Sequence, residues 1–224
     1  MSAEELCKHV TDFGFTLLEA EFALDARPHK IETLSATRKS LMWVRDENSS
    51  LMTANPSKVG DYLSLLERRD YSYLMHDGGI IQIAFIYDGD RIEKHRLSYH
   101  PCPFPIELQD LEMFDGGLLD FITDAFMSNL DENLLLRSPV RFDYAPTAVA
   151  DYHPASHISI NDPSCRIPAR SPLQFETFIK FVFENFYLEA WQYPTVGYAL
   201  AFSQEDECLS AHDTGRAYLN WEHR

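Results

Sequence analysis

The sequence is poor in positive charge and contains no long apolar run. It has 19 Lys and Arg residues against 35 Asp and Glu residues, which gives a formal net charge of −16. This balance disfavours non-specific binding to nucleic acid or to an anionic membrane surface, because both attract positive charge. No segment approaches the roughly eighteen apolar residues that a membrane-spanning helix needs, so we expect no association with a membrane.

Paired cysteines and glycine-rich phosphate loops are also missing. The four cysteines are far apart in the sequence: Cys7, Cys102, Cys165 and Cys208. We expect reduced thiols, and because MSAEELCKHV does not resemble a signal peptide we expect a cytoplasmic protein. Neither GxxxxGK[ST] nor GxGxxG occurs, and we interpret Gly78-Gly79 and Gly116-Gly117 as turns.

Aromatic residues are plentiful and indicate a folded core. The chain contains 15 Phe, 11 Tyr and 3 Trp residues, and 45% of its residues are hydrophobic. Such a composition argues against disorder, and a length of 224 residues fits one domain spanning residues 1–224. We predict no internal repeat and no linker.

The spacing of apolar and turn residues predicts an α+β fold. Asp77-Gly78-Gly79 and Asp88-Gly89-Asp90 divide residues 71–99 into a three-stranded antiparallel meander, which places Gln82 opposite His95 or Arg96. We predict further strands near 40–44, 140–144, 157–161 and 196–202, and helices over 3–24, 55–69 and from Ser171-Pro172 onward. Residues 106–136 are predicted to form a helical insertion interrupted at Gly116-Gly117. The expected architecture is a mostly antiparallel sheet covered by helices.

One stretch, RFDYAPTAVADYHPASHISINDPSCRIPAR at residues 141–170, concentrates the reactive side chains. Side chains alternate between the two faces of a strand. If the strands at 140–144 and 157–161 pair over a common core, their polar residues share the opposite surface: Arg141, Asp143, His157, Ser159 and Asn161. An ordinary solvent-facing sheet would show the same pattern. Arg96 either packs along the surface by its stem or joins this polar surface.

Three kinds of chemistry could use these residues. His157 could act as a general acid or base oriented by Asp143, while Arg141 or Arg166 holds a phosphodiester; metal-independent RNA cleavage fits these parts. The second is a metal site. Pro154 follows His153 and excludes a helical His-x-x-x-His zinc motif, but Asp143, Asp151, Cys165 and either His100 or Cys102 could complete a shell with these histidines. Nothing in the spacing requires such a site, and we predict no metal and no cofactor. The third alternative is binding without catalysis. In that case a phosphate-bearing ligand or an acidic patch of a partner is held by the Arg and His residues: Arg96, Arg141, His153, Arg166 and Arg170.

Several motifs resemble an uncharacterised family of prokaryotic proteins, a domain of unknown function. They are YSYLMHDGGIIQIAF, HRLSYHPCPF, RFDYAP, HPASHISI, CRIP and SPLQFETFIKFVFENFY, and they cover about half of the chain. The family pattern has a further His two residues after HPxSH, where this chain has Ser159, so a two-His strand site is weakened here. The resemblance implies a single-domain cytoplasmic protein associated with mobile or anti-phage loci, and it implies no established activity.

These observations lead to one expected function and one alternative. We expect a cytoplasmic accessory or effector component of a bacterial defence or toxin–antitoxin-like system. Its polar sheet face would bind a nucleotide, RNA or another phosphate-bearing ligand, with or without cleavage. The alternative is a non-catalytic acidic module that docks on a protein partner with a basic surface. The residues do not decide whether the protein is an enzyme.

Overall fold

Nine strands form one antiparallel sheet in the computed structural model, which describes residues 1–45, 58–162, 164–197, 207–214 and 217–220. The strands are β1 (Ala23–Ala26), β2 (His29–Thr33), β3 (Arg38–Trp43), β4 (Tyr73–Met75), β5 (Ile80–Asp88), β6 (Arg91–His100), β7 (Val140–Tyr144), β8 (Ser156–Ile160) and β9 (Ile167–Pro168). Their order is β1-β4-β5-β6-β7-β8-β9, while β3 pairs with β5 and β2 pairs with β3. Strand β5 accommodates two neighbours on one edge, since β4 pairs with its first two residues and β3 with its last four.

The predicted meander of β4, β5 and β6 is confirmed, but the predicted register was wrong by two residues for Arg96 and by three for His95. Gln82 lies opposite Ser98, and Arg96 lies opposite Ala84. The prediction assumed a three-residue turn, whereas Asp88 pairs with Arg91 and leaves only two residues in the turn, with Gly89 at a φ of +58°. A β-bulge between Ile86 and Tyr87 then shifts the pairing by one more residue.

Helices cover both faces of this sheet, which confirms the α+β class. They are α1 (Ala3–Glu19), α2 (Val59–Glu67), α3 (Leu108–Met113), α4 (Leu118–Ala125), α5 (Leu130–Asn133), α6 (Phe175–Phe186), α7 (Leu188–Gln192), α8 (Pro194–Gly197) and α9 (Ala211–Thr214). Short 3-10 turns lie at Met127–Asn129 and Pro146–Ala148. Within the residues described, no helix is long and apolar enough to cross a membrane.

The main core lies between one face of the sheet and helices α1 and α6. Phe13 of α1 packs edge-on against Phe183 of α6, and Phe142 of β7 packs edge-on against Phe178. Burial of this aromatic cluster fixes which side of each strand faces inward. The alternate residues of β6, β7 and β8 are therefore directed to the other face.

Helix α1 is shorter than its apolar periodicity predicts. A capping box between Ser2 and Glu5 starts it, and it ends at Glu19 rather than at residue 24. Glu21 has a φ of +61°, a left-handed conformation that does not continue a helix. The chain then joins the sheet as β1, so strand pairing with β4 prevails over helical periodicity.

The predictions for the C-terminal half need two further corrections. Helix α6 begins at Phe175, not at Ser171-Pro172, because the preceding segment is bonded to the sheet: Ser156 Oγ donates to the Ser171 carbonyl, and the Leu173 N–H donates to His95 Nε2. The predicted strand at 196–202 is wrong at its start, since Pro194–Gly197 is helical. Its remaining residues, 198–202, lie outside the described residues.

Residues 106–136, which the sequence predicts to be a helical insertion, contain helices α3, α4 and α5 and contribute to a second apolar cluster. Helices α3 and α4 are separated at Gly116-Gly117, as predicted. Phe121 and Ile122 of α4 pack with Leu66 of α2 and with Ile80 of β5. Ile80 faces away from the main core, so this cluster covers one end of the opposite face of the sheet.

A pair of glycine substitutions tests how closely Tyr187 of the main core packs against the turn before β5. In Gly79→Ala, the new Cβ would lie 2.1 Å from the hydroxyl oxygen of Tyr187, which donates to Asp77 Oδ1 over 2.8 Å. We expect a loss of about 1–3 kcal/mol in the free energy of unfolding, measured by urea denaturation. The matched control is Gly60→Ala in α2, where nothing lies within 4 Å and a gain of about 0.5–1 kcal/mol is expected. Equal effects of the two substitutions would contradict the packing.

Candidate functional site

Polar side chains from three adjacent strands meet on the sheet face opposite the main core. Arg96 of β6, Asp143 of β7 and His157 of β8 occupy directly opposed positions. The next row holds Ser98, Arg141 and Ser159 in the same way. We call these six residues the Asp143 face. The pairing that the sequence predicted for 140–144 and 157–161 is the pairing of β7 with β8.

Asp143 is the centre of the charged cluster. Its Oδ1 accepts a hydrogen bond from Arg96 Nε over 2.9 Å, and its Oδ2 accepts one from Arg141 Nε over 2.5 Å. The three side chains are only 11–20% exposed. Burial alone would raise the pKa of Asp143, but the charges of Arg96 and Arg141 outweigh it and hold this pKa below its ordinary value. Asp143 is therefore ionised at neutral pH, with a guanidinium on each oxygen.

His157 is buried beside this cluster and stays neutral at physiological pH. Burial lowers its pKa, and the opposing effect of Asp143 does not compensate. Nδ1 lies 3.1 Å from the Pro154 carbonyl oxygen, to which it donates its proton. In the neutral ring, Nε2 consequently carries the lone pair, and it lies 3.8 Å from Asp143 Oδ2. The predicted orientation of His157 by Asp143 is thus corrected: the Pro154 carbonyl orients the ring, because 3.8 Å is beyond hydrogen-bonding distance.

The other predicted site residues take different positions. The His153 ring is 5.1 Å from the His157 ring in an edge-to-face arrangement. Arg166 lies close enough for its charge to contribute to the lowered pKa of both Arg141 and His157, after burial as the main cause. Arg170 pairs with Glu207 over 3.3 Å. Among the predicted residues, Arg96 and Arg141 donate hydrogen bonds to Asp143.

A hydrogen-bonded chain that the sequence did not reveal extends the Asp143 face along β6. Gln82 Nε2 donates to the Asp70 carbonyl over 2.7 Å, which fixes the direction of its amide. Its Oε1 then accepts from Ser98 Oγ over 2.9 Å and from His100 Nε2 over 3.3 Å. The correct strand register was the missing information, since it alone shows that Gln82 adjoins Ser98.

His95, one of the two residues that the prediction placed opposite Gln82, lies on the other side of the sheet. It contacts the rings of Phe85 and Tyr144, and its Nε2 accepts the Leu173 N–H over 2.9 Å. It belongs to the main core because neighbouring residues of a strand point to opposite faces, and Arg96 points to the Asp143 face. Alternation along β6 was the signal that could have separated these two residues.

This arrangement can bind an anion and can accept a proton. A guanidinium carries five N–H donors in a planar fork, a geometry that matches the oxygens of phosphate and carboxylate groups. Asp143 holds two such groups on neighbouring strands, where the reduced dielectric strengthens their interactions. His157 adds a neutral imidazole nitrogen with a lone pair. Among the described residues, no group of three or more His, Cys, Asp or Glu side chains is placed to hold a metal ion.

Comparison with known proteins assigns the family and nothing finer. Residues 26–221 match the family model described as an uncharacterized conserved protein, DUF2290. That span contains the Asp143 face and all of the motifs on which the family resemblance rests. No curated protein and no solved structure matches the chain. Because the match covers most of the sequence, this chain belongs to the DUF2290 family.

Proposed function

We propose that the Asp143 face binds a phosphate-bearing ligand through the guanidinium groups of Arg96 and Arg141. The observation that supports this function is the convergence of both guanidiniums on one buried carboxylate, at 2.9 and 2.5 Å, with a neutral imidazole beside them. Asp143 orients the two arginines, so little side-chain entropy remains to be lost when an anion binds. Because the chain as a whole is strongly negative and repels anions, we expect anion binding only at a local positive site such as this one.

Cleavage is the second step of this proposal, and it applies when the ligand is RNA. His157 Nε2 would take the proton of a ribose 2′-hydroxyl, and the 2′-oxygen would form a bond to phosphorus. The bond between phosphorus and the 5′-oxygen would break, and the leaving oxygen would take a proton from water. The hydroxide that remains would accept the proton from His157 Nε2, which returns the ring to its neutral form. A neutral imidazole suits the base role, and the guanidiniums would stabilise the charge that develops on the phosphate oxygens.

Binding measurements with Arg96→Gln test the first step. The probes are inorganic phosphate, nucleoside monophosphates and a fluorescently labelled single-stranded RNA, each titrated into the full chain. We expect saturable binding to the wild type and a loss of at least about tenfold in affinity in Arg96→Gln, since a charged hydrogen bond contributes about 1.5–3 kcal/mol. The control is Arg38→Gln, because Arg38 is an exposed arginine of the same sheet that pairs with Glu93. Its affinity should change less than about twofold.

His157→Asn separates binding from cleavage. The Asn amide can still donate to the Pro154 carbonyl, but the proton-accepting Nε2 is gone. We expect RNA binding within about threefold of the wild type and loss of any RNA cleavage seen with the wild type. Equal cleavage by the two proteins would remove His157 from the reaction. A wild-type protein that binds none of the probes would contradict the proposed function itself and would leave the charged cluster with a purely structural role.

The acidic helical insertion favours a second candidate function. Residues 106–136 carry eight carboxylates and no Lys or Arg: Glu107, Asp110, Glu112, Asp115, Asp120, Asp124, Asp131 and Glu132. Met113 and Leu136 project from the same segment with exposures of 78% and 102%. Carboxylates around exposed apolar side chains match a protein partner with a basic, partly apolar surface. Absence of binding in the ligand titrations above would favour this second function over the first. The defence role expected from the family resemblance stays a prediction.

A further inference from the structure

We infer that the phosphate-bearing ligand of the Asp143 face is a nucleotide whose base occupies a cavity beside His100. The inference rests on the proposed function and extends it, because it identifies the class of molecule that carries the phosphate. It depends on three features: a cavity that adjoins the Asp143 face, a buried hydrogen-bond acceptor in its wall, and the short distance between that wall and Arg141.

The cavity lies where β6 ends and β7 begins, and it measures about 310 Å³. Four parts of the chain form its walls, and they contribute Val59 and Tyr62 of α2, His100 at the end of β6, Leu135 and Pro139 before β7, and Asn161 after β8. The size is at the lower end of the range for small-molecule sites, about 300–1,000 Å³. The Tyr62 hydroxyl donates to the Gly78 carbonyl over 2.7 Å, and it is thereby engaged within the protein. Prolines, aliphatic side chains and an aromatic ring suit a flat heterocycle.

His100 provides a buried acceptor in this wall. His100 is only 4% exposed, and its Nε2–H donates to Gln82 Oε1. Nδ1 therefore carries the lone pair, and among the described residues it has no hydrogen-bond partner. Burial, together with the charges of Arg141 and Arg96, lowers the pKa of His100 to about 3, so Nδ1 is not satisfied by protonation at neutral pH. Native proteins rarely leave a buried polar atom without a partner.

A nucleobase has the group that this acceptor needs. The hydrogen-bonding edges of the bases carry ring N–H or amino groups, whereas a sugar phosphate without a base has only hydroxyl donors. A base in the cavity can donate an N–H to His100 Nδ1 and can pack its faces against the apolar walls. The same lone pair would disfavour a carboxylate or a second phosphate in this place, because both are acceptors only.

The distance between the cavity and the arginines fits a single nucleotide. His100 and Ser98 are two residues apart on the same face of β6, and Arg141 lies opposite Ser98. With a rise of roughly 3.3 Å per residue, the rows of His100 and Arg141 are separated by about 7 Å. The charges of Arg141 and Arg96 both act on the His100 ring, which shows that the two parts of the site are close. A base at His100 therefore places its 5′-phosphate within reach of the Arg141 guanidinium.

Titration of the full chain with matched ligands tests this inference. The probes are the 5′-monophosphates of adenosine, guanosine, cytidine and uridine, with ribose 5-phosphate as the ligand that lacks a base. For the wild type we expect at least one nucleotide to bind about tenfold or more tightly than ribose 5-phosphate, as a buried hydrogen bond and an apolar contact contribute. In His100→Phe this advantage should fall to less than about threefold, while the affinity for ribose 5-phosphate stays unchanged.

A second variant keeps the test valid if His100→Phe does not fold. Leu135→Trp fills the cavity from its wall and leaves His100 and the arginines in place. It should remove the preference for nucleotides, whereas Leu188→Trp, a substitution at an exposed position of α7, should retain it. If the wild type binds ribose 5-phosphate as tightly as every nucleotide, or if both cavity variants keep the preference, the inference is wrong and the proposed function survives. If the wild type binds none of these ligands, the inference is wrong, and the proposed function fails as well when inorganic phosphate and single-stranded RNA also do not bind.

Discussion

Lowering the pH from about 7.5 to about 5 is expected to reduce the free energy of unfolding by about 6 kcal/mol. Three buried histidines are responsible. Burial lowers the pKa of His29 to about 4, that of His95 to about 4 and that of His100 to about 3, from an ordinary value of 6.5. At pH near 5 each contributes a loss of about 2 kcal/mol, because the unfolded chain binds a proton that the folded chain rejects.

The direction of this effect follows from the lowered pKa values. Between pH of about 4 and the ordinary value of 6.5, the unfolded state carries more protons, so stability increases with pH throughout this window. His157 adds to the same trend, since its pKa is also lowered by burial. Asp143 contributes only at lower pH: its pKa lies below 3.8, so its stabilising charge is lost as the pH falls through that range. A typical domain is stable by about 5–15 kcal/mol, so the loss is large enough to unfold much of the protein near pH 5.

Urea denaturation at several pH values between about 5 and 8 measures this loss. The matched variant is His95→Gln, whose amide oxygen can still accept the Leu173 N–H but which does not titrate. Its stability should fall by about 4 kcal/mol over the same interval instead of about 6, because one of the three titrating rings is gone. A wild-type stability that stays constant within about 1 kcal/mol between these pH values would show that the three histidines are accessible to protons in the folded state.

Local sequence patterns predicted the sheet better than they predicted the site. The Gly and Asp turns identified the meander, and strict alternation around Phe142 and Ile158 put Asp143 and His157 on one face before any pairing was known. These predictions succeed because turn conformation and side-chain direction are properties of a few consecutive residues. The interruption between α3 and α4 was predictable for the same reason, since Gly116-Gly117 breaks an apolar periodicity.

The contacts around Asp143 depend on features that no local pattern contains. Gln82 adjoins Ser98, a residue of the Asp143 face, only because a two-residue turn and a β-bulge together shift β5 against β6. His157 is oriented by a backbone carbonyl, that of Pro154, and the side chain that the sequence suggested for this purpose lies 3.8 Å away. Likewise, β1 replaces the end of a predicted helix because it pairs with β4. Since β4 is distant in the sequence, no local pattern indicates this pairing. Register, backbone hydrogen bonds and tertiary pairing decided these points.

The Asp143→Asn substitution is expected to cost about 3–5 kcal/mol in the free energy of unfolding at neutral pH. The amide keeps the volume of the side chain, but it removes the negative charge that compensates the buried guanidiniums of Arg96 and Arg141. Burial already lowers the pKa of Arg141, which shows that its charge is costly in this position. Arginine does not lose its proton in proteins, so the two cations remain side by side without the carboxylate.

The matched control for Asp143→Asn is Glu93→Gln. Glu93 forms an equally short, bidentate pair with Arg38 in the same sheet, at 2.7 and 2.9 Å, but these side chains are 29% and 45% exposed. Water screens such a pair, so we expect a loss below about 1 kcal/mol. Urea denaturation of both variants gives the comparison. Similar losses for the two substitutions would mean that the carboxylate of Asp143 is as well solvated as that of Glu93, and the low-dielectric site on which anion binding by Arg96 and Arg141 depends would not exist.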